Sequence, residues 1–219
     1  YGEGCIAAHA LDLVGDRWAL LVIRELMLGP KRFGAIRAGV PNVASNILTR
    51  RLEELEAAGV VTRRALPAPA SAAVYDLSPH GQALRPVLLA LCRWGAGMPG
   101  HDHTLPISPT ALMLSMESMI RPAPGRFTAA FDMGAEAFAL TAWSGRLQIR
   151  RADAPAGEMA FRGSANDLAV AIYGPAPLAR AAADGRIGFA GDLARGQAFV
   201  DLFRLERPPG SPPLPPSAT

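Results

Sequence analysis

The chain has 219 residues, half of them hydrophobic and 19% charged, enough for a buried core and for two small domains rather than one. That composition excludes a wholly disordered chain, and no run of 18 apolar residues is present to span a membrane. Two cysteines exclude a disulfide framework or a four-cysteine zinc site, and the net charge of +3 is concentrated between 31 and 64, where seven basic residues face Glu53, Glu54 and Glu56.

In chain order, 5–14 reads as a short helix broken by Gly15, with Asp16 placed to cap the next. Residues 17–28 form an apolar helix with Arg17, Arg24 and Glu25 expected outside, stopped by Gly29-Pro30. One or two helical turns follow at 31–38, Phe33 and Ile36 facing inward. Gly39 to Asn42 makes a tight turn. The clearest helix is 44–58, where Leu48, Leu52 and Leu55 recur at i, i+4, i+7 and Gly59 ends the run. Two helices joined by such a turn fit a helix-turn-helix. Residues 60–66 and 73–77 read as strands, which after a helix-turn-helix constitute a wing. Ser78-Pro79 opens a helix to about 95, with Leu84, Leu88, Leu91 and Trp94 as its apolar stripe and Pro86 as a kink point.

Residues 99–109, rich in Gly, Pro and His, read as a linker. Beyond it come a helix at 109–120, strands at 126–133, within 136–151 and at 158–163, a helix at 164–173, another at 177–183, a strand at 186–190 and a helix at 192–203. Residues 207–219 hold six prolines and read as a disordered tail. The expected fold class is α+β. A winged helix-turn-helix DNA-binding and dimerisation domain occupies 1–98, and a sheet-and-helix ligand-binding or regulatory domain occupies 110–206.

With the leucine stripe of 44–58 turned inward, Asn46, Arg50 and Glu53 point outward. Asn pairs with adenine and Arg with guanine, and the N-terminal half of the second helix enters the major groove. Asn42, Ser45, Asn46, Thr49 and Arg50 are therefore the expected base contacts. Lys31, Arg32, Arg51, Arg63 and Arg64 are the expected phosphate contacts.

The stretches CIAAHALDLVGDRWALLVIRELMLGPKRFGAIR, SNILTRRLEELEAAGVVTRR and YDLSPHGQAL…PVLLALCRWG resemble the HxlR-type winged helix-turn-helix regulators of bacteria and archaea. The resemblance covers most of 5–96. It implies a homodimer on an inverted-repeat operator, with Leu11, Leu84, Leu88, Leu91 and Trp94 in the seam. The wing tip, Pro67 to Ala73, departs from the pattern in having no Lys or Arg. Some relatives carry a reactive cysteine near the first helix, which makes Cys5 a candidate redox sensor, since a helix N-terminus favours a thiolate. Cys92, on an apolar helix, is expected to be inert.

Residues 158–203, with FRGSANDLAVAIYGPAPLARAAADGRIGFAGDLARGQAFVDLF, resemble the C-terminal part of the sterol-carrier-protein-like fold. That resemblance implies a sheet covered by helices around an apolar cavity. Phe131, Phe138, Leu140, Phe161, Leu168, Ile172, Phe199 and Phe203 are the expected lining, with a closed core as the alternative.

His101 and His103 lack a third ligand, so no metal site is expected. No phosphate loop, dinucleotide fingerprint or nucleophile elbow is present, so no enzyme activity and no cofactor are expected either. The sequence opens at Tyr1 rather than a methionine and nothing in it resembles a signal peptide, so a cytoplasmic location with no membrane partner is expected. Together these features predict a dimeric transcriptional regulator, a repressor in preference to an activator, responsive to a small apolar ligand. A hydrophobic-ligand carrier or protein-interaction module, and a thiol switch through Cys5, are the competing readings.

Overall fold

The computed structural model describes residues 1–65, 73–203 and 205. The wing tip and the proline-rich tail lie outside these residues. The helices are α1 Ile6–Val14, α2 Ala19–Leu26, α3 Phe33–Gly39, α4 Ser45–Ala57, α5 Pro79–Gln82, α6 Arg85–Ala96, α7 Pro109–Met119, α8 Ala165–Tyr173, α9 Leu178–Ala183 and α10 Leu193–Val200. The strands are β1 Lys31–Arg32, β2 Val61–Ala65, β3 Ala73–Leu77, β4 Arg126–Asp132, β5 Ala137–Trp143, β6 Arg146–Arg151, β7 Met159–Arg162 and β8 Gly188–Ala190.

Two apolar cores form. The first is built from α2, α3, α4 and the wing, with Ile23, Leu26, Ile36, Leu48, Leu52 and Leu55 fully buried. Helix α4 ends in a Schellman cap. Gly59 adopts φ +69°, its N–H bonds to Glu56 O, and Val60 N–H bonds to Leu55 O. The chain thereby turns directly into β2. Ser78 ties the next helix to that turn: its hydroxyl donates to Gly59 O at 2.6 Å and accepts from Gly81 N–H at 3.1 Å. Gly81 has to be glycine, because a Cβ there would lie 2.3 Å from Val60 O.

The second core lies under a five-stranded sheet of order β6-β5-β4-β7-β8, in which only the central β4–β7 pair is parallel. Strand β5 alternates buried and half-buried residues, so Phe138, Leu140 and Ala142 face inward with Phe127, Ala129 and Phe131 of β4. Ser108, Ser164 and Asp192 cap α7, α8 and α10 with side-chain oxygens.

Several expectations are corrected. Asp16 does not cap α2; Trp18 holds that position at φ +80°, and Asp16 pairs with Arg51 instead. Lys31 and Arg32 are a strand, not a helical turn, and join the wing in a three-stranded sheet of order β1-β3-β2. The predicted helix at 79–95 breaks at Ala83–Leu84, leaving Pro86 in the first turn of α6, where its missing N–H costs nothing. Helix α7 is not the property of one domain. Its Leu114 belongs to the first core, and its Leu112, Met113 and Met116 to the second. The predicted boundary therefore separates two cores that share a helix.

The expected apolar cavity is a closed core. Phe131, Phe138, Phe161, Leu168 and Phe199 have no exposed surface, and Leu140, Ile172 and Phe203 almost none. Phe131 stacks on Phe161 at 4.7 Å, and Phe199 meets Phe203 edge-on at 5.1 Å. These rings fill the space a lipid would need.

Candidate nucleic-acid interface

Burying the leucine stripe of α4 leaves its opposite face to solvent. Asn42, Ser45, Asn46, Thr49 and Arg50 are all exposed, and the Arg50 side chain retains 71% of its accessible surface. Ser45 Oγ accepts from Arg37 Nη1 at 3.0 Å, and Thr49 Oγ1 donates to Ser45 O at 3.0 Å. Arg50 Nε rests on Glu54 Oε1 at 2.8 Å, one helical turn away. That carboxylate raises the Arg50 pKa, first by its hydrogen bond and then by its charge. Asn42 sits in the turn before the helix at φ +67°, a conformation Asn tolerates better than most residues, so its identity has a local reason as well.

Arg32 and Arg63 are exposed beside this face, Arg63 lying 5.9 Å over the Tyr75 ring. Arg64 is exposed and pairs with Asp76 at 3.0 Å. Among the described residues, no hydrogen bond, ion pair or ring contact joins these groups to the second core.

Two expected phosphate contacts are corrected. Lys31 is buried. Its Nζ donates to Glu25 Oε2 at 2.8 Å, to Thr110 Oγ1 at 3.0 Å and to Glu136 Oε1 at 2.6 Å, so it has no reach to a phosphate. Arg51 is largely covered: it braces α4 against the α1–α2 turn through Asp16 at 2.5 Å and pairs with Glu54 on its own helix. Glu25, expected outside, is the most buried acid of the described residues. Ser108 donates to it at 2.6 Å, and Gly39 is glycine because a Cβ would stand 2.0 Å from Glu25 Oε2. The signal for Glu25 was its place three residues after Val22, inside the apolar arc of α2.

The seam residues divide. Leu88 is buried in its own chain's first core, whereas Leu84 packs against that core and stays half-buried. Leu11, Leu91 and Trp94 remain exposed, Trp94 by 66%, with Ile6, Leu13, Val87 and Met98 exposed on the same two helices or just beyond. Cys5 is exposed at the N-cap of α1. Burial pushes the Cys92 thiol up, consistent with an inert side chain.

A helix-turn-helix with a wing, an exposed polar face on its second helix and arginines around that face define a DNA-binding protein of the winged-helix class. The model of the HxlR-like helix-turn-helix family matches residues 13–102. The HTH-type transcriptional regulator YvaP of Bacillus subtilis is 38% identical over 85 residues, which is 39% of this chain and 79% of YvaP. YodB of the same organism is 39% identical over 85 residues, 39% of this chain and 76% of YodB. The solved structure of reduced YodB covers 45% of this chain and all of its own, at 35% identity and a TM-score of 0.41. The chain belongs to the HxlR-like helix-turn-helix family, and it is a DNA-binding transcription regulator. No helix among the described residues is long and apolar enough to cross a membrane.

Proposed function

We propose that this regulator is a homodimer that reads an inverted-repeat operator with the exposed face of α4. Asn46 and Arg50 contact bases, Ser45 and Thr49 flank them, and Asn42 enters from the turn. Arg32, Arg63 and Arg64 hold the phosphates. The observation that carries this reading is that the outward face of α4 is free of the second core while its inward face is wholly buried. The dimer seam runs over Leu11, Leu91 and Trp94, whose exposure on α1 and α6 is otherwise unexplained. Repression is the favoured sign, because occupancy alone blocks a promoter.

The sterol-carrier-like reading of 110–206 is retained for its architecture, a sheet covered by helices. An apolar ligand inside that sheet is not, because its aromatics pack on one another. A second reading is a thiol switch, favoured by the exposure of Cys5 at a helix start. An unchanged oxidant response in Cys5→Ser would remove it.

The test is binding of the full chain to duplex DNA across a salt series. Three arginines on each of two protomers imply a slope of log affinity on log salt of about −5. A flat response would favour the carrier or interaction-module reading instead.

A further inference from the structure

The five-stranded sheet has two unlike faces. Its inner face carries Phe127, Phe131, Phe138, Leu140, Leu147 and Phe161, and helices α7 to α10 pack on it through Met116, Leu168, Leu178 and Phe199. Alternation sends the intervening residues to the other side. There the register sets Arg126, Trp143 and Arg146 in one row across β4, β5 and β6, followed by Thr128, Thr141 and Gln148, then Ala130, Ala139 and Arg150. Ala160 and Ala190 continue the last row over β7 and β8. Arg126, Arg146, Gln148, Arg150, Ala160 and Ala190 are all exposed, so this face is open among the described residues.

Its charge is one-sided. Residues 99–219 hold as many acids as bases, yet the acids on or beside this face are engaged: Asp132 pairs with Arg162 and Glu158 with Arg195, each at 3.1 Å. The Arg126 guanidinium lies 5.6 Å over the Trp143 ring. No carboxylate meets Arg126, Arg146 or Arg150 among the described residues. Strand spacing puts Arg126 about 10 Å from Arg146, and Arg146 about 13 Å from Arg150. Guanidiniums so far apart on a flat surface suit an extended polyanion and not one small anion. The alanines, threonines and Gln148 between them offer no apolar anchor for a membrane. Trp143 is half-buried with Arg126 over its ring, so it is no platform for unpaired bases. A duplex backbone, dense in charge and asking only for spaced cations, matches what is present.

We propose that the outer face of this sheet is a second DNA contact. Arg126, Arg146 and Arg150 hold phosphates of the duplex, and Gln148 and Thr141 supply hydrogen bonds between them. The contact adds affinity and salt dependence without sequence preference. It rests on the chain's DNA binding and not on the assignment of base reading to α4. On a duplex long enough to reach this face, the salt slope is steeper than the value of about −5 expected from the first domain alone.

The test is binding of the full chain to a long random-sequence duplex across a salt series. Each phosphate contact contributes about 0.9 to the slope, so Arg146→Gln with Arg150→Gln should bind more weakly and lose about 1.8 of slope per bound protomer. Arg146→Lys with Arg150→Lys should keep the wild-type slope, because a phosphate contact of this kind needs only the charge. Arg180→Gln removes an exposed charge from α9, behind the sheet, and should leave the slope unchanged. Both substituted β6 positions are exposed on an edge strand, and an unchanged circular dichroism spectrum verifies that the variants fold. A wild-type slope in the glutamine pair, or an equal loss in Arg180→Gln, would overturn the proposal. If that wild-type slope came with a changed sedimenting mass, the face would belong to a second copy; with lost binding to phosphatidylserine vesicles, it would belong to a lipid surface. Arg50→Ala run in parallel separates the two DNA contacts: operator preference surviving in that variant contradicts base reading by α4 and leaves the sheet face untouched.

Discussion

Arg50 and Lys31 show how differently two basic residues of one charged segment behave. Arg50 stands in water on a helix face and keeps Glu54 only as a surface partner, a contact of small energetic value that a guanine edge can replace. Arg50→Ala should therefore weaken binding to the selected operator by about 1–3 kcal/mol and relax preference at one base pair per half-site, with random-sequence binding changed far less. Competition titrations with single-substituted operators measure this; equal losses on operator and random duplex would assign Arg50 to the backbone. Lys31 is the reverse case. Removing it in Lys31→Met takes the shared ammonium from fully buried Glu25 and from Glu136, which keep only Arg24 and Arg151 on their other oxygens. Breaking such a pair costs about 3–5 kcal/mol, whereas Glu25→Gln with Lys31→Met should recover part of the loss. Urea unfolding of the two variants gives the comparison. The leucines of α4 were legible in the sequence because their periodicity is local. Lys31 was not, since its burial depends on Glu136, 105 residues along the chain.

At the level of elements, the second sheet is held by its aromatic face and by surface clasps of much smaller effect. Phe161 packs against Phe131, Phe189 and Phe199 with no exposed surface. Phe161→Ala should cost about 3–5 kcal/mol in thermal or chemical unfolding, the response of a filled core rather than of a vacant pocket. A near-neutral result would reopen the cavity reading. Glu158 clasps β4 to α10. It accepts from Arg195 at 3.1 Å and from Thr128 N–H at 2.9 Å, and these bonds, Arg195 first, hold its carboxyl below the usual range. A lowered folded-state pKa adds stability at pH values above the unfolded carboxylate's pKa and loses it as pH falls through the folded value. The pair is exposed, so the effect should stay below about 1 kcal/mol, seen as a slightly shallower acid-side loss of stability in Glu158→Gln. Alternation of residues along the chain made β4, β5 and β7 readable from the sequence. The two-residue β1 was not, because a strand that short is defined by its partner β3 and not by a pattern of its own.

For the molecule as a whole, α7 is the element that turns two readable halves into one structure. It lends Leu114 to the first core, faces the second with Leu112, Met113 and Met116, and fixes α6 through the Arg85–Glu117 pair. Its amphipathic signal is weak because it is buried on more than one side, which is why a boundary drawn at the linker looked sufficient. The apolar residues left on α1 and α6 are the remaining unpaired feature of this scale. Leu91→Glu with Trp94→Ala should shift sedimentation from dimer to monomer and lower operator affinity, while the unfolding midpoint measured at monomer concentrations stays near the wild type. A monomeric wild type would remove the inverted repeat from the account. The most direct test is selection of bound duplexes from a random pool, run in parallel with wild type and Arg50→Ala. A palindromic motif that loses one symmetric pair of preferences in the variant is the predicted result; the same motif from both proteins, or none from either, would contradict a base-reading role for α4.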